Sequence, residues 1–227
     1  MNKKVDFDDY TDNYNQLLRE STGFFSADEE YFARYKVELI KKFVANAPKR
    51  ILEYGCGIGR NIPFLQAAFP GANVEGSDIS AASLEIARRD NPGVNFFLEK
   101  GHLDAVEPVD LIFVAGVFHH IPPPLREEVA RKLFARLTPR GELCVFEHNP
   151  YNPVTRRIVD NCPYDEDAVL LKPVELKSLF RKASLSVQST AYCLFVPPKL
   201  SALAWLENGL GWLPLGGQYW VRGIKPA

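Results

Sequence analysis

Arg50-Ile51-Leu52-Glu53-Tyr54-Gly55-Cys56-Gly57-Ile58-Gly59 sets a short apolar run against a cluster of glycines. A run of this kind, bounded by glycine, reads as a strand entering a tight turn. Asn61 to Phe69 then has helical spacing, and Pro63 is tolerated because the first helical turn has no N–H bond for it to remove. The unit is strand, glycine turn, helix. Glycines at such a turn let a ligand approach the main chain without meeting a Cβ, while the helix start presents unpaired N–H groups.

Upstream, Tyr31, Phe32, Tyr35, Leu39, Ile40 and Phe43 recur at helical spacing within Asp28 to Ala45, and Ser26 with Glu29 forms a capping-box pattern. Downstream the alternation continues with a strand at Asn73 to Ser77, a helix at Ala81 to Asp90 and a strand at Val94 to Leu98. Asp110 to Ala115 is almost purely apolar, as suits a strand buried on both faces of a parallel sheet. Leu125 to Leu137 reads as a helix, Gly141 to Glu147 as a strand, Pro173 to Lys182 as a helix, and Leu185 to Thr190 and Gln218 to Gly223 as the last strands. Strands alternating with helices predict an α/β fold with a doubly wound sheet. The expected organisation is an N-terminal helical cap over 1–48 and a single domain over 49–227. Residues 148–171, a long polar connection of the kind that carries function in compact domains, and residues 197–216 are expected to be insertions on the substrate side.

A chain of 227 residues with 46% hydrophobic content supports one substantial core. Lys plus Arg totals 27 against 28 for Asp plus Glu, so no overall field draws the protein to nucleic acid or to an acidic bilayer. Met1 to Asp9 lacks the apolar core of a secretory signal and no run reaches spanning length, so a cytoplasmic protein without a membrane span is expected. Cys56, Cys144, Cys162 and Cys193 are scattered, with no C-x-x-C pair, and read as ordinary buried thiols.

The glycines spell G-x-G-x-G at the carboxyl end of the first strand, where open α/β sheets bind ligands. Roughly twenty residues further on, Asp78 ends the second strand, the position at which an acid accepts hydrogen bonds from ribose hydroxyls. A dinucleotide site would instead need G-x-G-x-x-G, with glycine where Arg60 stands. Glu53 also sets an anion beside the turn, which suits a cationic amino-acid tail better than a pyrophosphate.

Ile51 to Asn61, Gly76 to Ser80, Asp110 to Ile121 with its Val117-Phe118-His119-His120-Ile121 ending, and Leu137-Thr138-Pro139-Arg140-Gly141-Glu142-Leu143 together resemble class I S-adenosylmethionine-dependent methyltransferases. The likeness spans about Arg50 to Glu147. It implies a Rossmann-like methyltransferase fold, a mostly parallel sheet with an antiparallel last strand, and S-adenosyl-L-methionine as cofactor. It places Gly55 and Gly57 beside the methionine part, with Cys56 and Ile79 adjoining, Glu53 and Asp78 as polar anchors, and Ala115 to Phe118 along the adenine. Members of the family often carry Gly-Asp after the third strand, where this chain has Gly101-His102. The adenine contact therefore falls to His102 with Leu103, or to Asp104. The implied reaction is methyl transfer to oxygen or nitrogen of a small polar acceptor, a sugar or another metabolite. A non-catalytic cofactor-binding module is the alternative. An RNA methyltransferase would need a basic face that the composition does not show.

His102, His119, His120 and His148 all fall just past the carboxyl ends of the third, fourth and fifth strands, so a general base is sought first in His119 or His120, then in His148 and Glu147. The plainer reading has the pair packing on cofactor or capping a turn. A metal site built from them with Glu147 or Asp104 has no tight ligand spacing behind it, and none is expected. Phe7, Tyr10 and Tyr14 either close over the cofactor, with a ring near its sulfonium, or pack as ordinary aromatics. Tyr151, Arg156 and Arg157 are the candidate acceptor contacts, the arginines either clamping a phosphate or carboxylate or lying on a solvated helix face. Leu200, Leu203, Trp205, Leu206, Leu210, Trp212 and Leu213 are expected in the core, ahead of a lid or partner surface.

Overall fold

In the computed structural model, which describes residues 25, 26, 28, 30–44, 46–99 and 107–227, the apolar run of β1 (Arg50–Tyr54) lies at the centre of a seven-stranded sheet. It pairs in parallel with β2 (Asn73–Asp78) on one side and β4 (Val109–Ala115) on the other, so that Leu52 aligns with both Glu75 and Ile112. Successive side chains of a strand point to opposite faces. Because Ile51, Leu52, Leu111, Ile112, Phe113 and Val114 have no exposure, both faces of the central strands are covered.

With β3 (Asn95–Leu98), β5 (Leu137–His148), β6 (Ser186–Cys193) and β7 (Gln218–Ile224), the strand order is β3-β2-β1-β4-β5-β7-β6. β7 runs antiparallel to both β5 and β6. The direction of winding reverses between β1 and β4, and a crevice opens there at the carboxyl ends of the strands. One apolar layer joins Val37 and Ile40 of α1 (Tyr31–Lys41) and Leu65 of α2 (Ile62–Ala68) to Phe113 and Phe146. A second layer joins Leu133 of α4 (Arg126–Arg136) and Phe180 of α6 (Pro173–Lys182) to Leu52, Ile112 and Val145.

Local chemistry sets the helix starts. Ser80 accepts a hydrogen bond from Ser83 N at the head of α3 (Ala81–Asp90), and Asn152 accepts from Val154 N and Thr155 N at the head of α5 (Pro153–Asp160). α1 is shorter than the span predicted from Asp28 to Ala45. Its entry is set by Asp28, which accepts from Glu30 N, while Ser26 Oγ bonds Asp28 rather than closing a box; Glu29 lies outside the described residues.

The connection after β5, expected to be a polar loop, contains α5 and a 3₁₀ turn at Pro163–Asp165. The Leu/Trp-rich segment departs from expectation more sharply. It forms a 3₁₀ stretch at Pro198–Leu206 and the short α7 (Glu207–Leu210), with Leu200, Leu203, Trp205 and Trp212 exposed, the last at 76%. The polar side chain of Glu207 ties it down, accepting Phe195 N, Val196 N and Tyr35 Oη, so the rings are not needed in the core. All four cysteines are buried and unpaired, and no helix among the described residues is long and apolar enough to cross a membrane.

At the antiparallel side of the sheet, Arg222 of β7 reaches diagonally to Glu142 of β5, and both are buried. Arg222→Ala would strip Glu142 of its guanidinium, and breaking a buried pair from one side costs about 3–5 kcal/mol. Urea unfolding of the variant should show a loss of that size with an unchanged dependence on denaturant.

Candidate active site

The crevice takes its shape from two loops pinned to neighbouring strands. Cys56 N donates to Ser77 O at 2.9 Å, and Gly116 N donates to Phe146 O at 2.9 Å. Gly55 and Gly57 have φ of +69° and +52°, a region that L side chains rarely adopt. A Cβ on Gly55 would meet Val117 Cγ2 at 2.4 Å, whereas one on Gly57 would meet nothing within 4 Å. Gly55 is thus required by close packing, and Gly57 leaves bare main chain beside open space.

That space is a cavity of about 410 Å³, within the usual range for small-molecule sites. Asp78 lines it, its carboxylate oriented by Gly57 N at 2.7 Å and Ser80 N at 2.9 Å. Glu53 sits just behind the lining, almost wholly buried, with Oε1 accepting from Asn61 and Oε2 without a hydrogen-bond partner. Burial pushes the Glu53 carboxyl up to about 8, although Asn61 and Lys36 pull the other way. Lys36, on α1, is pushed down to about 8, by burial before all else.

The other part of the wall is histidine. His119 stands in the 3₁₀ turn Phe118–His120 after β4, and its Nδ1 lies 2.6 Å from Glu147 Oε2. Glu147 is fully buried at the end of β5, and its other oxygen accepts Val117 N at 3.1 Å and Phe118 N at 2.7 Å. Burial would raise the Glu147 carboxyl, but the positive field of His119 and these hydrogen bonds hold it below the usual carboxylate range. Burial likewise opposes a charged His119, yet Glu147 and Asp165 outweigh it and hold the imidazole up to about 9. His148 is pushed down to about 4 by burial and then by His119, whose ring centroid is 4.9 Å away.

Of the residues singled out from the sequence, Gly55, Cys56, Gly57, Asp78, Ile79, Ala115, His119, His120 and His148 line this one cavity. Glu147 does not; it holds His119 from behind. Phe118 is corrected as well. The 3₁₀ turn sends its ring into the core with no exposure, and Val117 takes its place on the wall. Tyr151, Arg156 and Arg157 are not among the lining residues, because α5 turns both arginines outward and Tyr151 is 47% exposed. Tyr14, His102, Leu103 and Asp104 lie outside the described residues.

Several lining residues escaped the sequence reading: Lys36, Arg60, Asn61, Glu99, Tyr164 and Asp165. Glu99 follows β3 directly and presents a carboxyl pushed up to about 7, chiefly by burial. The family pattern directed the search for that acid to later residues. Asp165 belongs to the acidic run Asp165-Glu166-Asp167, yet it is 5% exposed, with Oδ1 at 3.5 Å from His119 Nε2 and 3.3 Å from His120 Nε2. Among the described residues, His119, His120 and Asp165 form the one group whose donor atoms gather closely enough, within 4.8 Å, to hold a cation.

A crevice at the winding reversal, a glycine turn with open main chain and an acid closing the second strand are the features that the likeness to class I methyltransferases implies, and S-adenosylmethionine is the cofactor to which they point. Residues 52–143 match the family model described as a methyltransferase domain. Among curated proteins, the chain is 31% identical over 143 residues to a trans-aconitate 2-methyltransferase of Methylobacterium nodulans, covering 61% of this chain and 54% of that one. A trans-aconitate 2-methyltransferase of Rhodopseudomonas palustris is 34% identical over 110 residues, covering 48% and 42%. The chain thus spans about half the length of the curated relatives it matches. Among solved structures, a SAM-dependent methyltransferase from Archaeoglobus fulgidus superposes with TM-score 0.69 at 12% identity, covering 93% of this chain and 99% of that one. Magnesium protoporphyrin IX methyltransferase from Synechocystis, solved with bound SAH, gives 0.63 at 16% identity, covering 96% of each.

The residues fit that cofactor. Gly57 offers main chain with room beside it, Asp78 offers an oriented carboxylate for ribose hydroxyls, and the unpartnered Glu53 oxygen sets a buried acceptor near an ammonium. Asp78→Ala should weaken S-adenosylmethionine binding about tenfold or more by calorimetry, on the scale of losing charge-assisted hydrogen bonds. Glu53 also has a pH signature. Its carboxyl is held above its ordinary value of 4.5, so the folded state keeps a proton that the unfolded chain gives up. This contribution to stability is fully present below pH 4.5 and is lost as the pH rises through 8. Glu53→Gln should flatten that limb in urea unfolding of the cofactor-free protein.

Proposed function

We propose that the chain is a methyltransferase that passes the methyl group of S-adenosylmethionine to an oxygen of a small polar acceptor, with carboxylic acids and hydroxylated metabolites as the leading acceptor classes. The observation that carries this reading is the continuity of one cavity, whose wall runs from Gly57 and Asp78 to His119, His120 and His148. Lys36 and Arg60 line it beside the carboxylates Asp78, Glu99 and Asp165 and offer two cations to an acidic acceptor, and the curated relatives carry the name trans-aconitate 2-methyltransferase. The net charge of −1 gives no support to a nucleic-acid acceptor.

When bound, S-adenosylmethionine supplies a methyl carbon activated by a positive sulfur. The chain's own contribution is chiefly placement, since aligning the reactants removes much of the entropic barrier. Asp78 and the glycine turn hold the nucleoside, and the histidine wall borders the remaining space. Glu147, anchored by two main-chain N–H groups, fixes the orientation of His119. Among the described residues His148 makes no ion pair with a carboxylate. Burial keeps its imidazole neutral and it lines the cavity, and we assign it the role of proton acceptor. Residues 148–171 belong to the substrate side, because Tyr164 and Asp165 reach the cavity from that segment.

The test is turnover of radiolabelled S-adenosylmethionine against a panel of di- and tricarboxylic acids, sugars and amines. Labelled ester or ether is expected together with S-adenosylhomocysteine. Tight cofactor binding with no transfer to any panel member would leave a binding module in place of an enzyme. His148→Ala should lower kcat by about 10²-fold for hydroxyl acceptors, the usual contribution of a general base, and leave carboxylate acceptors nearly unaffected.

A further inference from the structure

The two histidines of the turn after β4 do not stand apart, as their separation in sequence from Asp165 would suggest. His119 Nε2 and His120 Nε2 converge on the same oxygen, Asp165 Oδ1, at 3.5 Å and 3.3 Å. These separations exceed the roughly 2.7–2.9 Å of a charge-assisted N–H···O bond. Asp165 Oδ1 is itself a buried atom with no hydrogen-bond partner in the structure. Two ligand atoms that each lie about 2.0–2.1 Å from one tetrahedral zinc ion are roughly 3.3 Å apart. The two histidine–carboxylate separations are therefore those of ligands around a common centre rather than of hydrogen bonds, and all three donor atoms lie within 4.8 Å of one another.

The surroundings match the same reading. A metal-bound imidazole ordinarily donates its second ring nitrogen to a carboxylate, which fixes the ring and raises its basicity. His119 has that arrangement, with Nδ1 on Glu147 and Glu147 in turn held by Val117 N and Phe118 N. His120 Nδ1 faces Asp167 Oδ1 at 3.4 Å, a second carboxylate behind a second ring. All three candidate ligands line the cavity, so coordination positions left over would open onto the space reserved for the acceptor.

We propose that His119, His120 and Asp165 form a binding site for one divalent transition-metal cation on the acceptor side of the methyltransferase cavity. Two imidazoles and one carboxylate suit zinc, cobalt or iron(II) better than magnesium or calcium, which prefer oxygen ligands. A cation there orients an acceptor carboxylate or hydroxyl and favours its ionised form. The site is a property of these three residues and does not depend on which acceptor is methylated.

Cobalt(II) is the probe, added to chelator-treated full-length protein whose cofactor binding is measured alongside. One equivalent should bind with visible d–d absorption of a four-coordinate site and without the charge-transfer band of thiolate ligands, which separates it from the buried cysteines. Asp165→Asn and His120→Ala should each weaken binding by at least about tenfold, and Glu147→Gln by about 10–100-fold, the usual effect of losing an outer carboxylate. Cofactor affinity and the near-ultraviolet dichroism of the variants report that the fold is kept. His120 is the less buried of the two rings, so its variant serves if Asp165→Asn fails to fold. Absence of saturable cobalt or zinc binding in protein that still binds S-adenosylmethionine would overturn the site and leave the methyltransferase reading standing. Equal affinity in wild type, Asp165→Asn and His120→Ala would overturn it as well.

Discussion

Glu147 ends β5 with a carboxylate sealed from solvent, and it takes three donors from a single turn: Val117 N, Phe118 N and His119 Nδ1. A buried charge is tolerable only when it is well paired, so this one carboxylate dictates the path of the chain after β4. The turn in turn exposes Val117 to the cavity, drives Phe118 into the core and holds His119 upright. Arg126 extends the same network. Its guanidinium donates to Phe118 O, Ile121 O and Val169 O, while Val169 N donates to His119 O at 2.8 Å. These bonds hold the segment carrying Asp165 against the two histidines, so the wall of the cavity is assembled by main-chain carbonyls and one arginine.

Where a local rule governs a local outcome, the sequence was easily read. The helix predicted over Ala81 to Asp90 begins and ends where expected, because Ser80 caps it, and the helix over Pro173 to Lys182 does the same, because proline opens it. The glycine turn and Asp78 were legible for a similar reason: strand, turn and helix are contiguous, and the parallel register of β1 with β2 brings Gly57 and Asp78 together. Asp165 was not legible, since its neighbours are delivered by Arg126 and Val169 across the fold. Nor was the choice between Val117 and Phe118, which depends on a 3₁₀ turn that Glu147 imposes. The Leu/Trp-rich segment misled in the other direction. Apolar composition pointed to the core, but a single carboxylate, Glu207, fastens it to the outside.

The sheet has a further consequence in the order of its strands. β6 pairs with β7 and, among the described residues, with no other strand, yet β7 comes later in the chain and occupies the place between β5 and β6. During vectorial synthesis β6 therefore leaves the ribosome with both edges bare, and the antiparallel half of the sheet must wait for β7 to slot between two strands already made. Until then the nascent chain displays unsatisfied main-chain donors and acceptors beside β5, a state in which chaperones matter more than for a sheet built in sequence order.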